Sequence, residues 1–292
     1  MNLYLGCPIW AYKGWVGDFY PSGTKAGDYL REYARRLNTV EGNTTFYAVP
    51  SAETLQGWVA ATPETFRFCP KLPRTVSHAG KLAGNIPLAR QFAETMSQLG
   101  ERLGPMFLQL PPRYPPQLLE DLAAFLDAWP PGVRLAVEVR HLAWFDAPHN
   151  ESLNALLSKH EMARVVIDTR PIRGLQGDQI LAGSVYQRLL EARLRKPHLP
   201  ILPERSADFI FLRYIGHPQR EFNSAYLDEW AEHLARRLGE GAEAYVFCHC
   251  PDERLDPWLC RELHRRVAGR TPLPPLPWDE ADASAAGQRR LF

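Results

Sequence analysis

The sequence predicts an α/β fold: a single (β/α)8 barrel of TIM type carrying a Pro-rich C-terminal tail. Three observations predict it. Short apolar runs alternate with amphipathic stretches eight times along the chain, and eight parallel strand–helix units are the number that closes a barrel. Seven consecutive runs end in a polar or charged side chain, as expected where strand C-termini build a mouth. No GxGxxG or P-loop sequence stands at a strand–helix turn, which counts against an open doubly wound sheet and against a nucleotide cofactor.

The strands are expected near 3–7, 38–43, 66–71, 105–110, 134–140, 163–168, 208–214 and 244–249. Each is followed by a helical pattern, at 25–37, 52–61, 85–103, 116–128, 150–160, 185–196, 224–238 and 256–268. Ser51 is placed to cap the second helix. The seventh follows Asn223-Ser224 with Tyr226, Leu227, Trp230, Leu234 and Leu238 at helical spacing. Residues 1–270 thus read as the barrel. From Thr271 the sequence turns to prolines, then to small, polar or acidic residues, and 271–292 reads as a linker with a terminal peptide.

Charge narrows the function. Lys+Arg 34 against Asp+Glu 33 leaves a net charge of +1, too balanced for a protein that coats nucleic acid by bulk charge. The start, Met1-Asn2-Leu3-Tyr4-Leu5, has neither a basic segment nor a long apolar run, so a cytoplasmic protein that does not span a membrane is expected. Five scattered cysteines then read as reduced thiols.

In the segment Arg134-Leu-Ala-Val-Glu-Val-Arg140, Glu138 and Arg140 share one face and Leu135, Val137 and Val139 the other. The same parity turns Glu41, Asn43, Lys71, Gln109, Asp168, Arg213 and His249 toward the mouth. Glu138, Asp168 and Glu41 are the candidate catalytic carboxylates, with Glu138 first as general base because Arg140 can steady it. Asn43, Lys71, Gln109, Arg140, Arg213, His249 and the nearby Tyr47 are the candidate substrate-binding groups, since guanidinium and ammonium groups take anions. A His-rich zinc cluster is not expected: His249 alone is well placed, although His78, His141 and His217 follow strand ends. Carboxylate-bound Mg²⁺ or Mn²⁺ stays open. Cys248-His249-Cys250 splits its histidine and thiols onto opposite faces and reads as a strand end. Trp10, Tyr12, Trp15, Phe19 and Tyr20 read mainly as structural anchors, with a stacking role at the mouth as the alternative.

An ordered series of motifs carries a resemblance over about residues 1–268. Gly6-Cys7-Pro8-Ile9-Trp10, Gly14-Trp15 and Asp18-Phe19-Tyr20-Pro21 precede Thr39-Val40-Glu41-Gly42-Asn43-Thr44-Thr45-Phe46-Tyr47. Then come Trp58, Thr62-Pro63, Phe66-Arg67-Phe68-Cys69-Pro70-Lys71, Gln109-Leu110-Pro111-Pro112 and Glu138-Val139-Arg140. The chain resembles the YecE-like family, domain of unknown function 72. The resemblance implies a TIM-type barrel with a polar cleft at the strand C-termini, and it implies no particular reaction. The last strand departs from the family's Phe-Asn-Asn ending, having Phe247-Cys248-His249-Cys250.

The chain ends Gln288-Arg289-Arg290-Leu291-Phe292. This terminus resembles the peptide by which DNA-associated proteins bind the bacterial sliding clamp, with Gln288, Leu291 and Phe292 as anchors. The leading expectation is therefore a nucleic-acid-associated barrel enzyme, a hydrolase or lyase acting on a phosphodiester or glycosidic bond and tethered by its tail. The alternatives are an enzyme acting on a phosphorylated or carboxylated small molecule, and a non-catalytic ligand-binding barrel.

Overall fold

A computed structural model of the chain describes residues 2–174 and 181–279. Among these, parallel strands alternate with helices: β1 (Leu3–Gly6), α1 (Tyr29–Ala34), β2 (Thr39–Gly42), α2 (Ala52–Ala61), β3 (Arg67–Pro70), α3 (Arg74–Ser77), α4 (Ile86–Ser97), β4 (Met106–Gln109) and α5 (Leu119–Asp127). There follow β5 (Leu135–Glu138), α6 (His149–Lys159), β6 (Ala163–Asp168), α7 (Gly183–Arg195), β7 (Phe209–Ile215), α8 (Ser224–Gly239), β8 (Glu243–His249) and α9 (Asp256–Ala268). Ser51 caps α2 by accepting a hydrogen bond from the Thr54 amide at 3.2 Å. On α8, Leu227, Trp230, Leu234 and Leu238 are buried, which fixes the face that packs inward. The single helix expected over 85–103 stops at Ser97, and α3 is a four-residue helix for which the sequence has no periodic signal.

The backbone ladder differs from the expected closed barrel. Six strands form one sheet in the order β1-β8-β7-β6-β5-β4, and β2 pairs with β3 alone. Side chains explain the β1/β2 break. Asn38 takes the Leu5 amide on its Oδ1 (2.8 Å) and donates to the Leu3 carbonyl (2.9 Å). The Tyr33 hydroxyl accepts from the Cys7 amide (2.6 Å) and donates to the Thr39 carbonyl (2.9 Å). Backbone groups satisfied this way have no need of a continuous ladder, and one backbone bond, Glu41 N–H to Cys7 O at 3.1 Å, crosses beside them. At the β3/β4 seam, isolated bridges join Phe68 to Leu103 and Lys71 to Phe107.

Alternate residues of the strands turn to a common inner face. Tyr4, Cys69, Phe107, Ala136, Ala163, Val165, Phe209, Phe211, Tyr245 and Phe247 form one apolar cluster, with members from both sheets. Phe211 is central, its ring 5.2 Å from Phe107 and 5.0 Å from Phe247. The opposite faces pack on the helices in the main core. Trp15, Phe19 and Tyr20 are buried there in edge-to-face contacts, so these three rings anchor the first loop.

Two segments are more closely packed than the sequence suggests. Helix α7 lies across the ends of β6 and β7, where Leu189 and Leu199 cluster with Ile167, Ile172 and Ile215. The expected linker begins as an irregular strap on the core that ends in a helical turn: Leu276 is buried, the Trp278 ring stands 5.0 Å from Phe19, and Arg261 lies over that indole at 4.5 Å. No helix among the described residues is long and apolar enough to cross a membrane.

Gly6 is the tightest point of the β1/β2 seam. A Cβ there would stand 2.1 Å from the Thr39 carbonyl oxygen, a backbone atom that cannot turn aside. Gly6→Ala should therefore cost about 2–3 kcal/mol in chemical denaturation. A loss below about 0.5 kcal/mol, the usual size for a surface change, would show that the seam is looser than this.

Candidate functional site

At the C-terminal ends of the strands the inner face changes from rings to ions. Arg213 on β7 holds it together. Its Nε and Nη2 donate to Glu41 Oε2 and Oε1, both at 2.8 Å, and its Nη1 donates to Glu138 Oε2 at 2.7 Å. Glu41 also accepts from Asn43 Nδ2 at 2.6 Å and pairs with His249 Nε2 at 3.1 Å. Glu138 Oε1 accepts from Arg140 Nε at 2.6 Å and from Gln109 Nε2 at 3.0 Å, and Gln109 Oε1 accepts from Lys71 Nζ at 2.8 Å. Eight expected site residues thus form one connected network across β2, β3, β4, β5, β7 and β8. Both carboxylates and Arg213 are almost fully buried. An ion cluster this deep holds only when its lone pairs and protons are all engaged.

The electrostatics separate the groups. Burial would raise the Glu41 carboxyl, but Arg213 and then His249 outweigh it and hold it well below the ordinary range. Burial is likewise overcome at Glu138 by Arg140 and Arg213, which bring it down to about 2. His249 is lowered to about 4 by burial, so it is neutral at pH 7, and its Nε2 must donate to the ionised Glu41. Lys71 is lowered to about 8 by burial, then by Arg213. Its ammonium faces the neutral Gln109 oxygen and the Phe46 ring, 4.0 Å from the centroid. Three cations (Lys71, Arg140, Arg213) therefore meet two carboxylates, which leaves one positive charge in excess.

Three expectations differ from the structure. Asp168 points away from the network. The register sets Ile167 beside Arg213 and Asp168 beside Tyr214, and paired residues of neighbouring strands face the same way. The Asp168 carboxylate accordingly sits in the helix layer, accepting from Trp230 Nε1 at 2.8 Å and from Arg170 Nη2 at 2.8 Å. Tyr47 is 81% exposed and, among the described residues, its ring meets that of Phe46; Phe46 covers Lys71 instead. Both Glu138 oxygens already accept hydrogen bonds and the carboxyl is held at about 2, which does not suit the expected general base. Gln288, Leu291 and Phe292 lie outside the described residues.

Two groups went unseen in the sequence. Lys196, just after α7, is lowered to about 8 by burial and by Arg213, which brings its ammonium into the field of the network. Asp256, the first residue of α9, is buried beside the same mouth. Neither belongs to a strand, so parity says nothing of them. For metals, no group of three or more His, Cys, Asp or Glu side chains suited to an ion occurs among the described residues. The two inward carboxylates are already saturated by Arg213 and its neighbours, so the donor set does not fit the Mg²⁺ or Mn²⁺ left open above. Cys248 joins the helix-side core with Cys7 and Cys260 while His249 faces inward, the split that strand parity predicts.

Fold and site together define a class: a parallel α/β protein with a buried, net-cationic ion network at its strand C-termini. The chain belongs to the family described as protein of unknown function DUF72, which matches residues 4–281. It is 34% identical over 262 residues to the UPF0759 protein YecE of Escherichia coli (strain K12), across 89% of this chain and 91% of that one. It is 24% identical over 257 residues to the UPF0759 protein YunF of Bacillus subtilis (strain 168), across 84% and 87% of the two chains. Among solved structures, a DUF72 family protein from Enterococcus faecalis superposes with a TM-score of 0.68 at 18% identity, covering 94% of this chain and 96% of that one. One from Thermotoga maritima gives 0.65 at 20% identity, covering 91% and 99%. At those identities the likeness is one of fold.

Two outcomes follow from the network. Arg213→Met strands two buried carboxylates and should cost about 3–5 kcal/mol, while adding Glu41→Gln and Glu138→Gln should recover much of the loss; a single variant as stable as the parent overturns the account. The pH dependence has a definite sign. An unfolded histidine binds its proton near pH 6.5, whereas folded His249 resists until about 4, so acidification through that window favours unfolding. Glu138 adds to this below its ordinary 4.5, down to about 2. The stability slope between pH 6.5 and 4 should be visibly shallower in His249→Gln.

Proposed function

We propose that the chain binds a small phosphorylated or carboxylated compound at the strand C-terminal mouth. We also infer that the two sheets act as one barrel wall around a shared core. The cluster of inner-face side chains drawn from both sheets supports this. One observation carries the binding reading. The carboxylates of the site are used up internally, and Lys71 keeps a neutral partner in an environment with excess positive charge. An anion entering beside Lys71 and Arg140 would supply the charge the network lacks, and the buried setting would strengthen that attraction. Should the bound compound react, Lys71 is the group whose proton leaves near physiological pH.

The nucleic-acid reading fits this geometry less well. Its strongest feature is the terminal peptide, and a backbone-tracking groove needs cations spread along an open surface. Here Lys71 and Arg213 are buried.

The test is a ligand series read by thermal unfolding and calorimetry: inorganic phosphate, glycerol phosphate, malonate and a neutral polyol. Anions should raise the unfolding temperature with concentration, and the polyol should not. Lys71→Met should weaken anion binding at least tenfold while the unliganded protein stays folded. Equal affinity in that variant, or stabilisation by no anion, would sink the reading.

A further inference from the structure

Beside the network, between β8, α7 and α9, lies a cavity of about 250 Å³ whose inner lining includes Lys196, His249 and Asp256 and whose outer lining carries Arg188, Glu191, Arg195 and Glu253. It holds two groups that the fold leaves without partners. Asp256 is wholly buried, and neither of its carboxyl oxygens makes a well-formed hydrogen bond, the Cys250 amide contributing only weakly. Part of the reason is in the sequence: the next residue is Pro257, so the first turn of α9 lacks an N–H that the carboxyl could have taken. The other group is Lys196. Among the described residues its ammonium has neither an ion pair nor a hydrogen bond, and its surroundings are dominated by Arg213, Glu41, Arg140 and Glu138 at longer range.

Asp256 is costly as it stands. A buried carboxyl without partners forfeits its hydration, whereas Lys196 is half-buried at the rim. They carry opposite charges when ionised, they line one cavity, and yet they do not pair with each other. Burial, then Cys260 and Glu253, pushes the Asp256 carboxyl well above its ordinary range, as expected of an acid that lacks a cationic partner. Ile215 and Ala192 give the same space an apolar wall. The volume lies at the small end of ligand pockets.

We propose that this cavity binds a small zwitterion, an α-amino acid by chemical class, whose carboxylate meets Lys196 and whose ammonium meets Asp256. The proposal shares with the function proposed above the attraction of an anionic group to the mouth, but it uses neither Lys71 nor Arg140.

Calorimetry on the full-length chain tests it with four probes: L-alanine, L-lactate, acetate and ethylamine. The first carries both charges, the second has a hydroxyl in place of the ammonium, and the last two present one charged end each. Alanine should bind at least tenfold more tightly than the other three. Asp256→Asn, which keeps the shape of the side chain, should abolish that preference and leave acetate binding unchanged. Lys196→Gln, at the rim and outside the core, should weaken alanine and acetate alike. The proposal is overturned if lactate binds as well as alanine, if Asp256→Asn keeps the parent's preference, or if no probe binds. Phosphate binding that depends on Lys71 and ignores Asp256→Asn would leave the mouth's anion site standing whichever way the zwitterion result falls.

Discussion

One guanidinium holds the functional end of this protein together. Arg213 extends from the six-stranded sheet and grips Glu41, which belongs to the two-stranded sheet, with two hydrogen bonds while holding Glu138 with a third. Deeper in, the sheets are joined by apolar contact among rings such as Phe107, Phe211 and Phe247. At the mouth, contact of that kind is replaced by charge. Arginine suits the position because its planar fork serves two carboxylates at once, which a lysine's point charge cannot do. The rest follows from this grip: Asn43 and His249 complete Glu41, Gln109 and Arg140 complete Glu138, and Lys71 is left as the group with spare capacity.

Much of this could be read in the sequence, for a physical reason. Strands alternate their side chains strictly, so once Glu138 and Arg140 are placed on one face, the same count locates Glu41, Lys71, Gln109, Arg213 and His249. The count needs a polar–apolar contrast to set its phase. The sixth strand, Ala163–Asp168, offers little: Val165, Val166 and Ile167 are apolar on both faces, so the parity carried over from the other strands has no contrast here to correct it at Asp168. Pairing with β7 sets the phase, and it sends Asp168 to Trp230. Strand number and direction were legible as well, because each unit is local. Ladder continuity was not, since the β1/β2 break depends on Tyr33 and Asn38 reaching backbone groups of their neighbours.

Lys196 and Asp256 illustrate a different limit. Both stand at helix ends, where no periodicity marks burial, and tertiary packing alone brings them to one cavity. The Pro-rich strap is similar: proline content indicates the absence of a long helix, but not that Leu276 and Trp278 find seats on the core. Composition reports the stiffness of such a segment, and the surface it meets decides whether it is a tether or part of the wall.

The seams flanking β2 and β3 give the molecule a natural line of cleavage. Parallel ladders distribute strain over many backbone bonds, whereas here a few side-chain bridges and isolated contacts carry it, and local opening begins where such bonds are few. Glu41 travels with the two-stranded unit and Lys71 follows directly after it, while Arg213, Glu138 and Gln109 belong to the other sheet. Widening the seam by even a small breathing motion would thus pull on the ion network itself. Access of a solute to the buried charges and partial separation of the two sheets would be a single motion, and a solute held between Lys71 and Arg140 would act as a stitch across it.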